Sequence, residues 1–350
     1  MSRLDDLLAV RSRDRDVEFR DTWALGRHLR DIPGIRVFPI GESRDGEPLF
    51  GYTAGHGPET VTLTAGCHAD EPVGPMTAQA LPWLLQEYAP DLLEKYTFRV
   101  VPQMNPDGAR RNRIWFADPP DFETYVRDAV REAPGDDIEF GFAGDDGARP
   151  ECRAAMPFLW GAGPVAAHFS LHGMAWAEGA WFLLNPPWAG RAAGLMDALA
   201  ALCGMRSLPL MEIDRGGEKG FSRVRTGFST TPNSVAMRAF FLERNDPETA
   251  AKFRPSSMEA AMAAGGDPLC MVSELPMFLL DVPASLSDPV LYRFKADLDA
   301  ARSAGAPDAL RRVAESYRLR PLPLGEQIAM QFAMIVLALD ARSAINSAGG

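Results

Sequence analysis

Alternating apolar and polar residues predict a series of strands along the first 280 residues. In the clearest of them Val61, Leu63 and Ala65 alternate with Thr62 and Thr64, the period-two pattern of a strand with a buried face. The same pattern or a short apolar run predicts further strands at 35–40, 48–53, 98–104, 165–171, 180–184 and 269–273.

Apolar residues at helical spacing predict helices between and after these strands. The segment 1–32 predicts one or two amphipathic helices, and further helices are predicted at 76–88, 195–203, 255–264 and over most of the chain after 285. The most apolar segment, 328–339, is shorter than the ~20 residues that cross a bilayer, and so predicts a buried C-terminal helix. The segments 118–150 and 216–232 lack periodicity and are predicted to be loops.

Strands that alternate with helices predict an α/β fold with a mixed, mostly parallel central sheet flanked by helices. Neither an internal repeat nor a linker divides the sequence, so we expect one domain over 1–350. Its core is expected at about 34–285, with the N- and C-terminal helices packed on it.

Four chemically capable residues each follow directly on a predicted strand: His68, Asn105, His172 and Glu274. Ligands bind outside the carboxyl ends of parallel strands, so four such residues at four strand ends predict one shared site. His68 and Glu71 are three residues apart on a turn, a spacing that by itself is equally typical of a surface turn. With His172 they make a plausible zinc set, since a catalytic zinc takes about three protein ligands and keeps one position for water.

A zinc-bound water needs a group that accepts its proton, and a cation that stabilises the oxyanion formed on attack. Glu274 is the candidate base. The cation is expected among Arg110, Arg111 and Arg113, which follow the turn Asn-Pro-Asp-Gly at 105–108.

Four motifs together resemble the zinc metallocarboxypeptidase superfamily, which includes the aspartoacylase and succinylglutamate desuccinylase branch. The motifs are Gly-Cys-His-Ala-Asp-Glu-Pro-Val-Gly at 66–74, Asn-Pro-Asp-Gly-Ala-Arg-Arg-Asn-Arg at 105–113, Ser-Leu-His-Gly at 170–173 and Ser-Glu-Leu-Pro at 273–276. The resemblance implies a three-layer carboxypeptidase-like fold with one zinc ion. It implies zinc binding by His68, Glu71 and His172, Glu274 as general base and Arg113 as the oxyanion arginine, with Arg110 as the alternative.

The sequence departs from the superfamily where the substrate is bound. The superfamily motif Asp-Leu-Asn-Arg-Asn-Phe has its best counterpart at 137–142, where Glu139 and Phe140 replace the Asn and Arg that grip a terminal carboxylate. No tyrosine lies between Tyr125 and Tyr292, so the tyrosine that covers the substrate in digestive members is also missing. Either other residues hold the carboxylate, such as Arg215, Arg223 or Arg225, or the substrate has no free carboxylate there. Further candidate substrate-binding residues are Asn105, Arg110 and Glu139, and Glu139 would select a cationic group.

Composition restricts the function further. The formal net charge of -11 over 350 residues argues against nucleic-acid and anionic-membrane partners. Four scattered cysteines and an N-terminus without the apolar core of a signal peptide indicate a reduced, cytoplasmic protein. We expect a zinc-dependent hydrolase that cleaves an amide bond of a peptide or peptide-like substrate; the sequence does not indicate its oligomeric state. The alternatives are a deacylase of small N-acyl amino acids and an inactive binding protein on the same fold.

Overall fold

The computed structural model describes residues 3–136, 138–145, 147–306 and 308–349, so Asp137 of the predicted substrate motif lies outside the described residues. Within them the strands are β1 (Ile35–Glu42), β2 (Pro48–Ala54), β3 (Glu59–Ala65), β4 (Tyr96–Val101), β5 (Ala167–Ala177), β6 (Trp181–Leu184), β7 (Arg223–Arg225), β8 (Phe228–Thr230), β9 (Leu269–Leu279) and β10 (Arg320–Pro321). The helices are α1 (Arg3–Ala9), α2 (Thr22–Arg30), α3 (Val73–Tyr88), α4 (Pro90–Lys95), α5 (Pro106–Asn112), α6 (Phe122–Asp128), α7 (Pro150–Trp160), α8 (Pro186–Ala189), α9 (Ala193–Met205), α10 (Ser234–Leu242), α11 (Pro247–Lys252), α12 (Ser257–Ala263), α13 (Val290–Ala304), α14 (Ala309–Ser316) and α15 (Leu324–Gly349).

The strands form one mixed sheet in the order β1-β2-β4-β3-β5-β9-β6-β8-β7, and β10 pairs with β9. The four central strands, β4, β3, β5 and β9, are mutually parallel. Antiparallel strands flank them, because β2 pairs with β4 and β6 pairs with β9 in that direction. The predicted α/β class with a mixed sheet is confirmed, and its parallel part lies at the centre, where a crossover helix can cover each face.

Apolar clusters cover both faces of the sheet, which gives three layers. One cluster joins Leu63, Phe169 and Met271 to helices that include α3, α9 and α15. The other joins Trp181 and Val272 to α7 and α12. Since neighbouring residues of a strand point to opposite faces, His172 and Glu274 lie on the α7 and α12 face.

The predicted loop at 216–232 is wrong in part, because it contains the short antiparallel pair β7 and β8 at the edge of the sheet. The segment 118–150 contains α6, which no periodicity indicated. The strands β7 and β8 and the helix α6 are short, and short elements contain too few alternations or turns for a periodic signal.

The C-terminal helix is longer than its apolar segment predicts. The stretch Leu324–Ser347 is long and apolar enough to cross a bilayer by length and composition, so the argument from shortness is wrong. Its burial is confirmed, since 72% of its apolar window is buried inside the protein. Gln331 is buried in this helix and donates to the backbone carbonyl of His172 at 2.9 Å, which ties the helix to the sheet behind the candidate site.

Candidate metal and catalytic site

A sharp turn at the end of β3 carries two of the candidate ligands. Gly66 has a φ of +71°, and a β-carbon there would meet Gln103 and Pro75, so the turn requires glycine. His68 follows it, and Glu71 closes the turn with a backbone hydrogen bond of 3.4 Å to the His68 carbonyl. The chain then enters α3 at Val73.

The third ligand comes from β5 and meets the other two. The Nδ1 atoms of His68 and His172 are 3.0 Å apart. The Glu71 carboxylate lies 2.8 Å from the first and 2.9 Å from the second. The three predicted zinc ligands therefore converge, and their donor atoms all lie within 4.8 Å of one another.

The donor set fits a zinc ion. Tetrahedral bonds of about 2.0–2.1 Å place neighbouring ligand atoms about 3.3 Å apart, close to the separations of this set. His172 and Glu71 are buried, whereas the His68 side chain is 15% exposed, so one side of the set is open to solvent. A second potential ligand group consists of Cys67, Glu139 and His172. All three are buried, and Glu139 lies at the Nε2 atom of His172, on the other side of the ring from Nδ1.

Charge in the set favours a bound cation. Burial alone would raise the pKa of Glu71, yet His68, Arg131 and His172 lower it well below its usual value. Burial alone would lower the pKa of His172, yet Glu71 and Glu139 raise it well above its usual value. Two buried carboxylates therefore attract positive charge to this point, as a metal site requires.

Glu139 lies behind His172. Its carboxylate is 3.1 Å from the His172 Nε2 atom and accepts hydrogen bonds from the hydroxyls of Ser170 and Ser257. Burial would raise its pKa, but His172 and Ser257 lower it to about 2. The geometry contradicts the predicted substrate-binding role, because the carboxylate is buried and directed at the imidazole that it orients.

Glu274 stands beside the ligands on the neighbouring strand. It pairs with His172 in the β5–β9 register and with Trp181 in the β6–β9 register. Burial and the nearby Glu71 charge raise the pKa of Glu274 to about 8. His172 and Glu274 are not at strand ends as predicted, since β5 and β9 continue five residues past them. They lie beside the turn that carries His68 because β3 ends at Ala65, and the register partner of Ala65 is Leu171, the residue before His172.

The cation at the site is Arg131, which the sequence analysis missed. Its guanidinium donates to Glu71 at 2.9 Å and to Asp70 at 3.1 Å, and its side chain is 45% exposed. Burial alone would lower the pKa of Arg131, but Glu71, Asp70 and Glu274 raise it. Arg131 lies in the aperiodic segment 118–150, so only the tertiary structure reveals that it reaches the site.

The two predicted oxyanion arginines point elsewhere. Arg113 is exposed, and its guanidinium lies 5.7 Å from the ring centre of Phe19. Arg110 is exposed and forms ion pairs with Asp45 and Glu47. Arg110 lies in α5 and Arg113 caps it, and both side chains are exposed. The structure gives neither of them the contact with Glu71 that Arg131 has, so the oxyanion role of Arg113 and the substrate-binding role of Arg110 stay predictions.

Asn105 has a structural position instead of the predicted substrate-binding one. It caps α5, since its side chain accepts from the backbone of Gly108 at 2.9 Å, and it donates to Glu132 at 2.6 Å. Arg223 and Arg225 belong to the edge strand β7, where they pair with Glu212 and Asp197 at 2.7 Å each. The structure therefore does not bring these three candidates to the metal ligands.

Asn112 connects the ligand turn to Arg131. Its amide donates to the Ala69 carbonyl at 3.0 Å and to the Val130 carbonyl at 2.8 Å. Its oxygen accepts from the Val130 backbone at 2.8 Å and from Trp115 at 2.6 Å. One buried side chain thus holds the turn of His68 against the residue that precedes Arg131.

Comparison with known proteins agrees with this geometry. Residues 26–125 match the zinc carboxypeptidase family. No curated protein sequence matches the chain.

Solved structures share the fold over nearly the whole chain. A metallo-carboxypeptidase from Burkholderia cenocepacia is 16% identical, with a TM-score of 0.51; the match covers 92% of this chain and 68% of that chain. A protein from Shewanella amazonensis designated a metallopeptidase is 16% identical, with a TM-score of 0.54; the match covers 95% of this chain and 97% of that chain. Bovine thrombin-activatable fibrinolysis inhibitor, solved with a tick carboxypeptidase inhibitor, is 13% identical, with a TM-score of 0.50; the match covers 93% of this chain and 99% of that chain.

These likenesses show the carboxypeptidase fold, and the family match supports a hydrolase of the metallopeptidase type. With the convergent ligand motifs, they confirm that the chain resembles the zinc metallocarboxypeptidase superfamily.

Proposed function

We propose that the protein is a zinc-dependent hydrolase that cleaves an amide bond in a peptide-like substrate. The observation that carries this proposal is the convergence of His68, Glu71 and His172 within 4.8 Å, with Glu274 in register beside His172. Histidine nitrogens and one carboxylate with a solvent-facing side are the ligand chemistry of a catalytic zinc.

Zinc held by these three residues would polarise the scissile carbonyl and make water a nucleophile near neutral pH. Glu274 accepts the proton of the attacking water and passes it to the leaving amine. This role suits a half-buried carboxylate whose pKa is raised toward neutrality, because such a group both takes and gives a proton at that pH. A bound cation near Glu71 also lowers the pKa of Glu274 from its value in the cation-free set.

Arg131 stabilises the negative charge that develops on the carbonyl oxygen. It contacts Glu71 and lies in the field of Glu274, and its side chain is 45% exposed, so a substrate can reach it where it stands. An arginine so placed costs little reorganisation when charge develops, which is how preorganised donors accelerate acyl transfer.

A metal assay combined with two variants tests this function. The purified protein should bind about one zinc per chain, and His172→Ala should lose it while the circular dichroism spectrum is retained. Glu274→Gln should keep the zinc and lower turnover of amide substrates by at least about 100-fold. Glu178→Gln is the matched control, because Glu178 is likewise a glutamate with a raised pKa, but its carboxylate accepts from the Glu212 backbone.

Full zinc loading of His172→Ala would exclude the ligand set. Undiminished turnover by zinc-loaded Glu274→Gln would exclude Glu274 as the base.

A further inference from the structure

Arg131 is held at the site through one nitrogen atom. Its Nη1 donates to Glu71 at 2.9 Å and to Asp70 at 3.1 Å. Among the described residues, Nε and Nη2 of Arg131 have no hydrogen-bond partner. Because a guanidinium is planar, two acceptors at Nη1 also set the direction of its remaining N–H groups. Those groups are the donors that a substrate oxygen can use.

Asp70 connects Arg131 to a buried tyrosine. One carboxylate oxygen of Asp70 accepts from Arg131, and the other accepts from the hydroxyl of Tyr125 at 2.7 Å. Asp70 is 5% exposed and Tyr125 is 4% exposed. A buried carboxylate with both oxygens bonded loses a hydrogen bond when it rotates, so the Tyr125 hydroxyl fixes the plane that Arg131 meets.

The ring of Tyr125 is itself held by aromatic packing. It meets the ring of Trp115 edge to face, with centres 4.9 Å apart, and lies 5.9 Å from Phe278 and 6.1 Å from Trp176. Trp115 in turn donates to the buried Asn112 at 2.6 Å. A phenylalanine at position 125 would keep this ring packing and lose only the hydroxyl.

The same turn carries Asp70 and two of the proposed metal ligands. Asp70 lies between His68 and Glu71 in the sequence, and Tyr125 reaches it from α6. A rigid turn that holds both the ligands and the partner of Arg131 also sets the position of the guanidinium relative to the ligand set. An arginine fixed in this way needs no reordering when negative charge develops.

On the basis of the proposed hydrolase function, we propose that Tyr125 and Asp70 are positioning residues that hold Arg131 for the developing oxyanion. Both act through the guanidinium. Without the tyrosine hydroxyl, the Asp70 carboxylate is free to turn, and the guanidinium has to be ordered during the reaction. That cost falls on the transition state, where the charge on the carbonyl oxygen appears, so kcat falls while KM is retained.

A double-mutant cycle on the zinc-loaded protein tests this coupling. Tyr125→Phe should lower kcat for an amide substrate about 10-fold and leave KM and zinc content unchanged. In the Arg131→Ala protein the same change should have less than about a 2-fold further effect, because no guanidinium remains to be positioned. Tyr317→Phe is the matched control, since Tyr317 is a buried tyrosine whose hydroxyl donates to Asp297 at 2.7 Å. It should keep the wild-type kcat while losing a similar amount of stability in urea.

Two further measurements support the cycle. Asp70→Asn keeps the shape of the side chain and removes its charge, so it should lower kcat in the same way as Tyr125→Phe. A crystal structure of zinc-loaded Tyr125→Phe does not depend on turnover. It should show the guanidinium of Arg131 away from Asp70 or in more than one position.

An unchanged kcat in Tyr125→Phe or Asp70→Asn, or an unmoved guanidinium in the crystal structure, would overturn the proposal. A full 10-fold loss from Tyr125→Phe in the Arg131→Ala protein would do the same, because the hydroxyl would then act without the arginine. These outcomes leave the hydrolase assignment standing, because it rests on zinc content and on Glu274. Undiminished kcat of Arg131→Ala would overturn both the oxyanion role of Arg131 and this proposal. An inactive, zinc-free wild type would overturn the hydrolase assignment and the positioning role with it.

Discussion

At the scale of single residues, the charged groups of the site hold one another in position through hydrogen bonds. Glu71 joins the two imidazoles, Arg131 joins Glu71, and Glu139 fixes His172 from behind. The carboxylate behind His172 determines which ring nitrogen carries the proton, and so presents Nδ1 as the ligand atom.

We expect Glu139→Gln to lower zinc affinity about 10- to 100-fold, because an amide orients the imidazole of His172 less strongly than a carboxylate does. Competition with a chromogenic chelator measures this change. Glu151→Gln is the control, since Glu151 is a buried carboxylate that pairs with Arg149 instead. Equal zinc affinities of Glu139→Gln and the wild type would show that Glu139 does not orient His172 for zinc binding.

A second buried histidine on β5 makes stability depend on pH. His168 is fully buried, contacts Thr62 at 2.9 Å through Nδ1, and its Nε2 has no hydrogen-bond partner among the described residues. Burial lowers the pKa of His168 to about 4. In the unfolded chain the group binds a proton below about 6.5, so its contribution to stability is complete above that pH and is lost as the pH falls toward 4.

Between pH 7.5 and pH 5 the wild type should therefore lose about 2 kcal/mol more stability than His168→Gln, which has no titrating group at this position. Urea unfolding at the two pH values measures the difference. His56→Gln, at an exposed loop histidine, is the matched control and should follow the wild type. The prediction fails if His168→Gln shows the same pH dependence as the wild type.

At the scale of elements, the site depends on where each strand stops. β3 ends at Ala65, while its neighbour β5, and β9 beyond it, continue for several residues. The step in the sheet leaves room for the turn of His68 and Glu71 beside His172 and Glu274. α5 and the segment after α6 then close this turn, and Asn112 is the side chain that joins them.

We expect Asn112→Ala to lower the free energy of unfolding by about 2–4 kcal/mol, since it removes the partners of buried groups of Ala69 and Trp115 and of the half-buried backbone of Val130. It should also lower kcat, because Val130 precedes Arg131. Urea unfolding and steady-state kinetics on the zinc-loaded protein measure both effects. Asn346→Ala, at an exposed position of α15, should change neither. Unchanged kcat in a folded Asn112→Ala protein would show that Asn112 does not position Arg131.

At the scale of the whole molecule, the charged residues of the site lie where the sheet meets the layer of α7 and α12. The helix α15 packs against the opposite face of the sheet. The proposed ligands are brought together by the folded sheet, so a metal held by them would bind the native state and not the unfolded chain. Metal binding and folding would then be linked.

Zinc at a free concentration 100 times its dissociation constant should stabilise the protein by about 2.7 kcal/mol, and chelation should reverse this gain. Thermal unfolding with buffered zinc, followed by addition of a chelator, measures the shift in Tm. His172→Ala should show no zinc-dependent shift. A Tm of the wild type that is independent of zinc would contradict a native-state metal site.

The sequence determined the fold class and predicted three metal ligands that the structure brings together. Alternation marked β3 and the start of β5 and β9, because a strand with a buried face repeats every two residues whatever it packs against. The turn at Gly66 and the motifs at His172 and Glu274 are local in sequence. Their chemistry was therefore readable before their positions were known.

Only the tertiary structure decided which groups surround the ligands. Arg131 comes from a segment without a motif, and Asn112 belongs to a motif whose resemblance gave it no role. The roles of both depend on contacts between residues distant in the chain. Arg110 and Arg113 lie near a motif in sequence, yet α5 turns them to the surface. Residue spacing encodes local conformation, whereas the charge around a site is set by the packing of separate elements, which spacing does not contain.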